Sequence, residues 1–253
     1  MAEMAHDALV MLKRNLIRFR RQPEMLIGYT VQPIMFVLLF VYVFGGSIRT
    51  GMDYEDFLIP GILVQNITFG GAITAVGLVE DLNKGLIDRF RSLPMARSAV
   101  LAGRTLADVV VNLFGVIIVI IVGYVVGFRF NASVPEVLYG IFLLLLFGYA
   151  FSWIFALVGL YSSSAESAQQ IGFTVIFPLT FISSAFVPVQ NMPSALRAFA
   201  EVNPFTLAVD AMRHLFIGTP AGNAVWGATL WSIGLVAVFA PLAVMKYRKV
   251  SAR

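Results

Sequence analysis

Apolar residues run through this chain in six long blocks, at 25–46, 57–79, 104–127, 137–161, 168–189 and 222–245. A helix rises 1.5 Å per residue and the hydrocarbon of a bilayer is about 30 Å thick, so roughly 20 apolar residues cross it. Each block meets that length. Arg104 and Asp108 sit in the first turns of the third block, and its uninterrupted apolar run begins at residue 109. The other five contain no Asp, Glu, Lys or Arg. Pro33, Pro178, Pro188 and Pro241 fall inside blocks, which membrane helices tolerate when neighbours satisfy the freed carbonyls. Gln169, Gln170 and two prolines make 168–189 the most polar of the six.

Three segments between the blocks carry a different pattern. Residues 1–24 predict an interfacial helix. Over its second half Leu9, Leu12, Leu16 and Phe19 share one face, and Lys13, Arg14, Arg18, Arg20 and Arg21 fill the rest. Such a helix lies along an anionic leaflet with its apolar face down. Two readings are open: a topology anchor, or a helix that also touches a cytoplasmic partner. In the loop 80–97, Leu82, Leu86, Phe90 and Leu93 repeat at helical spacing, and Glu80 with Lys84 and Asp88 with Arg91 are spaced to pair along a helix that Pro94 ends. Too few neighbours surround it to form a core, so its apolar face must meet lipid, the ends of the spans or another protein. The segment 190–221 is long for a helix connection and rich in apolar residues. Asn203-Pro204 divides it into two short helices that dip into or lie on the outer leaflet.

Basic residues set the orientation. Fourteen of them lie in the N-terminal segment, the loop after the second block and the tail, while only Arg49, Arg129, Arg197 and Arg213 lie on the other side. By the positive-inside rule both termini are cytoplasmic, and an even number of spans agrees. The loop around Ser162 to Glu166 falls on the cytoplasmic side without any Lys or Arg. The first block is too long and begins too late to be a cleavable signal peptide, and no internal repeat is visible. The expected fold is therefore one all-α membrane domain over residues 1–253, with six transmembrane helices.

Composition agrees. Of 253 residues, 59% are hydrophobic and 13% charged. Mean hydropathy is +0.85. Soluble domains carry roughly 45–50% apolar and about 25% charged residues. There is no cysteine, and only His6 and His214 supply imidazole. Thiolate chemistry is excluded and a histidine metal site disfavoured. The chain lacks a phosphate-binding G-x-x-x-x-G-K-[ST] loop and the H-E-x-x-H and G-x-S-x-G signatures of membrane hydrolases. It also lacks the midplane charges that ion-driven transporters use. Asp108, one turn after Arg104, reads as a local ion-pair or interface residue. Neutral groups in the blocks, among them Gln32, Gln65, Asn66, Asn112, Ser152, Gln169, Gln170, Ser183 and Ser184, mostly hydrogen-bond between helices, and a minority line a pathway. Gln65, Asn66, Asn112, Gln169 and Gln170 are the pathway candidates. The chain has the body of a transporter without an energy source, so energy is expected from another subunit.

Several segments resemble the ABC-2 type transporter permeases, most closely the daunorubicin-resistance-like exporters of bacteria. Arg21-Gln22-Pro23, then Gln32-Pro33-Ile34-Met35-Phe36 through Phe44-Gly45-Gly46, is similar to that family's first helix. Lys84-Gly85, Asp88-Arg89-Phe90-Arg91-Ser92-Leu93-Pro94, Arg97, Gly103-Arg104 and Asp108 resemble its loop between the second and third helices. Asn203-Pro204, Asp210, Arg213 and Gly218 resemble its signature before the last helix. One departure is Asp81-Leu82-Asn83, where the family more often has a charged run such as Lys-Glu-Arg. It bears on partner choice.

The resemblance implies a pathway formed by two permease chains, as a homodimer, above two ATPase subunits that carry ATP and magnesium. It implies that the segment from Glu80 to about Leu93 is a coupling helix seated in the ATPase, with Glu80, Asp81, Leu82, Lys84, Gly85, Leu86, Asp88, Arg89, Phe90, Arg91 and Pro94 as its residues. Asn203, Pro204, Asp210, Arg213 and Gly218 would then shape an outer gate. The implied function is export of amphipathic drugs or lipids across a bacterial plasma membrane, with no catalysis, cofactor, metal or nucleic acid in this chain. Two alternatives stand beside it: export of lipid-linked polysaccharide, which a continuous aromatic lining would favour, and a membrane enzyme acting on lipid-linked substrates. A non-transporting scaffold or receptor is a further class.

Overall fold

The computed structural model describes residues 2–48, 50–85 and 97–250. Among them the elements are all helical. Helix α1 (Ala2–Arg21) leads through Gln22 into α2 (Pro23–Leu39). Pro23 opens α2 at a position where a missing N–H costs nothing. One π-helical turn, Phe40–Phe44, extends α2. Helix α3 (Tyr54–Asn83) carries Glu55 and Asp56 in its first turn, where the helix dipole favours acids. It ends as Lys84 N–H and Gly85 N–H return to the Glu80 and Leu82 carbonyls, both at 3.0 Å. Gly85 has φ +65°, the left-handed conformation that stops a helix.

Helix α4 (Arg97–Val126) stops at Gly127. Helix α5 (Val134–Tyr161) starts at Ser133, whose N–H and hydroxyl both donate to the Glu136 carboxylate, at 2.8 and 2.7 Å. Helix α6 (Ala165–Phe181) starts where the Ser164 hydroxyl accepts from Ser167 N–H at 3.1 Å. A 3₁₀ turn at Val189–Asn191 precedes α7 (Ser194–Val202), α8 (Pro204–Ile217) and α9 (Ala224–Val250).

Among the described residues five segments are long and apolar enough to cross a membrane: Leu26–Phe44, Tyr54–Asn83, Ala99–Val126, Val134–Tyr161 and Ala224–Val250. The block at 168–189 differs. Its helix is α6, 17 residues long, and the chain then leaves helical geometry at Ile182. Pro178 supplies no N–H to the last turns, and Ser183 and Ser184 turn their hydroxyls back to the Thr180 carbonyl and the Asp210 carboxylate.

Helix α3 is the axis of the fold. Its apolar window is 78% buried, against 17% for those of α2 and α9. It touches α2, α4, α5, α6 and α8. Gly61 leaves room for the backbone of Ala185 against α3, and Gly71 for the ring of Phe155. Small residues at such crossings let membrane helices approach closely. A second, smaller core gathers Met11, Leu101, Trp153, Leu160 and Tyr247, where α1, α4, α5 and α9 meet.

In α1, Ala8 and Met11 pack inward, while Leu9 is 60% exposed. The reason is Gly103 on α4, which opens a slot for the Ala8 carbonyl and the Met11 side chain.

Candidate functional site

Three clusters stand out: a cavity midway along α3 and a polar network near each of its ends. The cavity holds about 540 Å³ and is walled by α2, α3 and α6. Its polar lining includes Gln32 from α2, Gln65 and Asn66 from α3 and Gln169 from α6. Phe36, Ile62, Phe69, Ile73, Val76 and Phe173 supply much of the rest. Among the described residues no Asp, Glu, Lys or Arg lines it. Such a space takes an apolar body and offers a few amide groups to orient it.

Phenylalanine rings form a row beside the cavity. Phe69 meets Phe173 (5.4 Å between centroids), followed by Phe177 (5.7 Å), Phe181 (5.4 Å), Phe186 (5.2 Å) and Phe40 (4.6 Å). On the other face of α6 lies an apolar space of about 460 Å³, bounded also by α5, α7, α8 and α9.

Two pathway candidates lie elsewhere. Asn112 is fully buried where α3, α4 and α5 meet, beside Gly70 and Gly148, and neither of its polar side-chain atoms finds a partner. Gln170 is exposed and outside the lining. The carboxylate of Asp108 accepts a hydrogen bond from Thr74 Oγ1. Its neighbour Arg104 pairs with Asp81, so both side chains of this stretch of α4 reach α3.

At the Asp81 end, charges from three helices converge. Asp81 Oδ1 lies 3.3 Å from Arg14 Nη2 and 3.3 Å from Arg18 Nη1, and its Oδ2 lies 3.0 Å from Arg104 Nη1. Arg18 Nη2 also reaches Glu80 at 2.6 Å, and Lys84 Nζ reaches Glu80 at 3.3 Å. Glu80, Asp81 and Leu82 thus belong to the last turn of α3 rather than to a separate helix, because the stop comes only at Gly85. Arg14 and Arg18 face the protein, whereas Lys13, Arg20 and Arg21 are exposed. Leu86, Asp88, Arg89, Phe90, Arg91 and Pro94 lie outside the described residues.

The network at the other end is built on the 203–218 signature. Asn203 works in two directions: its Nδ2 donates to the Leu179 and Ile182 carbonyls, both at 2.7 Å, and its Oδ1 accepts from Phe205 N–H at 2.9 Å. It closes the C-terminus of α6 and caps the N-terminus of α8, with Pro204 at the first position of that helix.

One turn after Asp210, Arg213 donates to the Phe57 carbonyl from Nε (3.0 Å) and Nη2 (2.8 Å), to the Ser184 carbonyl (2.6 Å) and to Asp210 (2.9 Å). Its guanidinium lies 3.6 Å from the centre of the Phe57 ring. Burial lowers Arg213 to about 10, with Asp210 opposing the shift, so it is charged at neutral pH. Ser184 Oγ donates to Asp210 at 2.7 Å, and Ser184 N–H to Thr206 Oγ1 at 3.2 Å. Gly218, at φ +78°, ends α8. Ser184 and Thr206 were not singled out as site residues from the sequence, although a Ser-Ser pair inside an apolar block marks a place where the backbone leaves helical geometry.

The family model of the ABC-2 type transporters matches residues 6–217. That range contains the cavity and both networks. The chain belongs to the ABC-2 type transporter family. A daunorubicin resistance ABC transporter permease protein of Streptomyces coeruleorubidus is 36% identical over 245 residues, covering 96% of this chain and 87% of that protein. A probable doxorubicin resistance ABC transporter permease protein of Mycobacterium tuberculosis is 27% identical over 250 residues, covering 97% and 89%. A probable multidrug ABC transporter permease of Escherichia coli is 25% identical over 193 residues, covering 72% and 49%. ABC-2 permeases work with ABC ATPase partners in general. This ABC-2 chain is a multi-pass membrane protein, and its relatives are named as permeases.

Proposed function

We propose that this ABC-2 permease exports amphipathic drugs from a bacterial cell, and that the cavity between α2, α3 and α6 is where cargo enters its path. The observation that carries this reading is the make-up of that wall, apolar and aromatic with amide groups and no charge. Such a surface holds varied amphipathic molecules by buried area rather than by a fixed set of hydrogen bonds. Membrane lipids share that chemistry and are the nearest alternative cargo. Export of lipid-linked polysaccharide has one observation in its favour, the continuous row of rings. That row is phenylalanine throughout, with no hydroxyl or indole N–H to bond a sugar, which favours the drug reading.

The energy comes from a separate ATPase in this proposal. Two permease chains pair as a homodimer over two ATPase subunits, which hold ATP and magnesium. The loop after α3 docks on the ATPase in the cytoplasm of the bacterial cell. Six crossings place both termini there, with the turn after α6 completing the fifth. Helices α7 and α8 then form an outer re-entrant pair, held to α3 by Arg213. The expected partition into one domain over residues 1–253 stands as part of this proposal.

Gly28 offers a direct test. It lines the cavity from α2, and a Cβ there meets nothing within 4 Å. Gly28→Trp should fill the space without straining the helix. Doxorubicin efflux from cells carrying the variant with its native ATPase should fall by about tenfold or more, with membrane insertion unchanged. Full efflux from a correctly inserted variant would rule out this cavity as the cargo path. Purified permease alone should show no ATP hydrolysis, and steady turnover without a partner would contradict the two-subunit arrangement.

A further inference from the structure

We infer that Asp81 is the positioning residue for energy coupling: it locks α1 to the ends of α3 and α4, so that a push on the 86–96 loop moves all three helices as one body. This deepens the proposed coupling role of that loop and rests on it.

Start with the charge at the end of α3. Glu80 and Asp81 lie in its last turn, where the helix dipole disfavours acids. The Asp81 side chain is 7% exposed. A carboxylate so placed needs cations, and it receives three, two from α1 and one from α4. All three are arginines, whose forked guanidinium can hold more than one acceptor. Arg18 does so, reaching Glu80 and Asp81 together. Gly77, one turn before Asp81, has no side chain, and the Arg104 guanidinium occupies the space that a Cβ would need. The pocket is therefore shaped around the ion cluster.

Now consider where the cluster sits. Gly85 ends α3 four residues after Asp81, and the loop leaves from there. Arg97 begins α4 where that loop returns. Both connections of the loop are tied near their roots, α3 through Asp81 and α4 through Arg104. Helix α1 is joined to the same carboxylate. Arg14 and Arg18 remain 31% and 21% exposed, so these links lie at the edge of the protein, beside the base of the loop. Met11, Leu78 and Leu101 share one apolar cluster, so packing already joins α1, α3 and α4; the ion cluster adds a directional tie at the base of the loop.

The test uses the absence of cysteine. Lys13→Cys and Asn83→Cys, both at exposed sites of α1 and α3, carry a pair of spin labels. The distance between them should be a single narrow distribution in the otherwise unaltered permease. It should broaden in Asp81→Asn and narrow again in Asp81→Glu. In cells with the native ATPase, Asp81→Asn without labels should lower doxorubicin efflux by about tenfold, with co-purifying ATPase undiminished and Asp81→Glu restoring at least half of it.

A narrow distribution in Asp81→Asn, or full efflux despite a broad one, would overturn the inference. Loss of the ATPase from Asp81→Asn would also overturn it, since Asp81 would then be a docking residue. If Asp81→Asn does not reach the membrane, Arg18→Gln is read in the same assays, and its unchanged distance and efflux would overturn the inference equally. The coupling role of the loop itself fails by a different result, continued ATPase binding after disruption of Leu86 and Phe90.

Discussion

Arg213→Ala should destabilise the permease by about 3–5 kcal/mol, because buried carbonyl acceptors left without donors cost about 1–3 kcal/mol each. Two such acceptors depend on this side chain, the Phe57 and Ser184 oxygens. The guanidinium also covers the Phe57 ring and holds Asp210, so its removal opens a void as well. Total stabilities are only about 5–15 kcal/mol, so little of the variant should accumulate folded. Arg213→Lys should recover less than half of the loss, since one ammonium cannot span three acceptors on three segments. Thermal unfolding of the detergent-solubilised protein measures both. A change below about 1 kcal/mol in Arg213→Ala would mean that the network is ornamental.

The second large effect concerns association. Leu86→Asp with Phe90→Asp should abolish co-purification with the ATPase while the chain still inserts in the membrane. Both residues lie outside the described part of the structure, so the expectation rests on their spacing in the sequence. Four positions apart, they share one helical face, and two carboxylates there would have to be buried against the partner. Unchanged co-purification would remove the loop from the docking surface and return its apolar face to lipid.

How far the sequence could be read depended on the kind of interaction. Long apolar blocks have a period-independent signature, so α2, α3, α5 and α9 were legible to within a few residues at most ends. The block ending at Val189 was read as one span because hydropathy does not register a backbone turn. The turn is held by Asn203, twenty-one residues past Ile182, and no local pattern reveals a partner at that distance. The inward side of α1 is illegible for a similar reason: the slot that takes Ala8 and Met11 is made by a glycine on another helix.

Within the site, the amides were legible as polar exceptions in apolar blocks. Which of them share a cavity was not, because Asn112 and Gln65 differ only in the direction they face. The Asp81 cluster was read as part of a coupling helix; three arginines from distant stretches had to be brought together before it looked like a joint between helices.

Asn203 has one more consequence. Asparagine alone among short side chains has two N–H donors for the two carbonyls at the end of α6 and a separate acceptor oxygen for the start of α8. Conversion to aspartate would keep the acceptor and lose the donor, leaving the Leu179 and Ile182 carbonyls unmet. In many proteins asparagine makes that change slowly as they age, when the nitrogen of the next residue attacks the side-chain amide. Here the next residue is Pro204, whose ring nitrogen carries no hydrogen. The same proline that starts α8 therefore shields the joint from chemical wear, so the oldest copies of the protein in a cell should retain the amide at position 203.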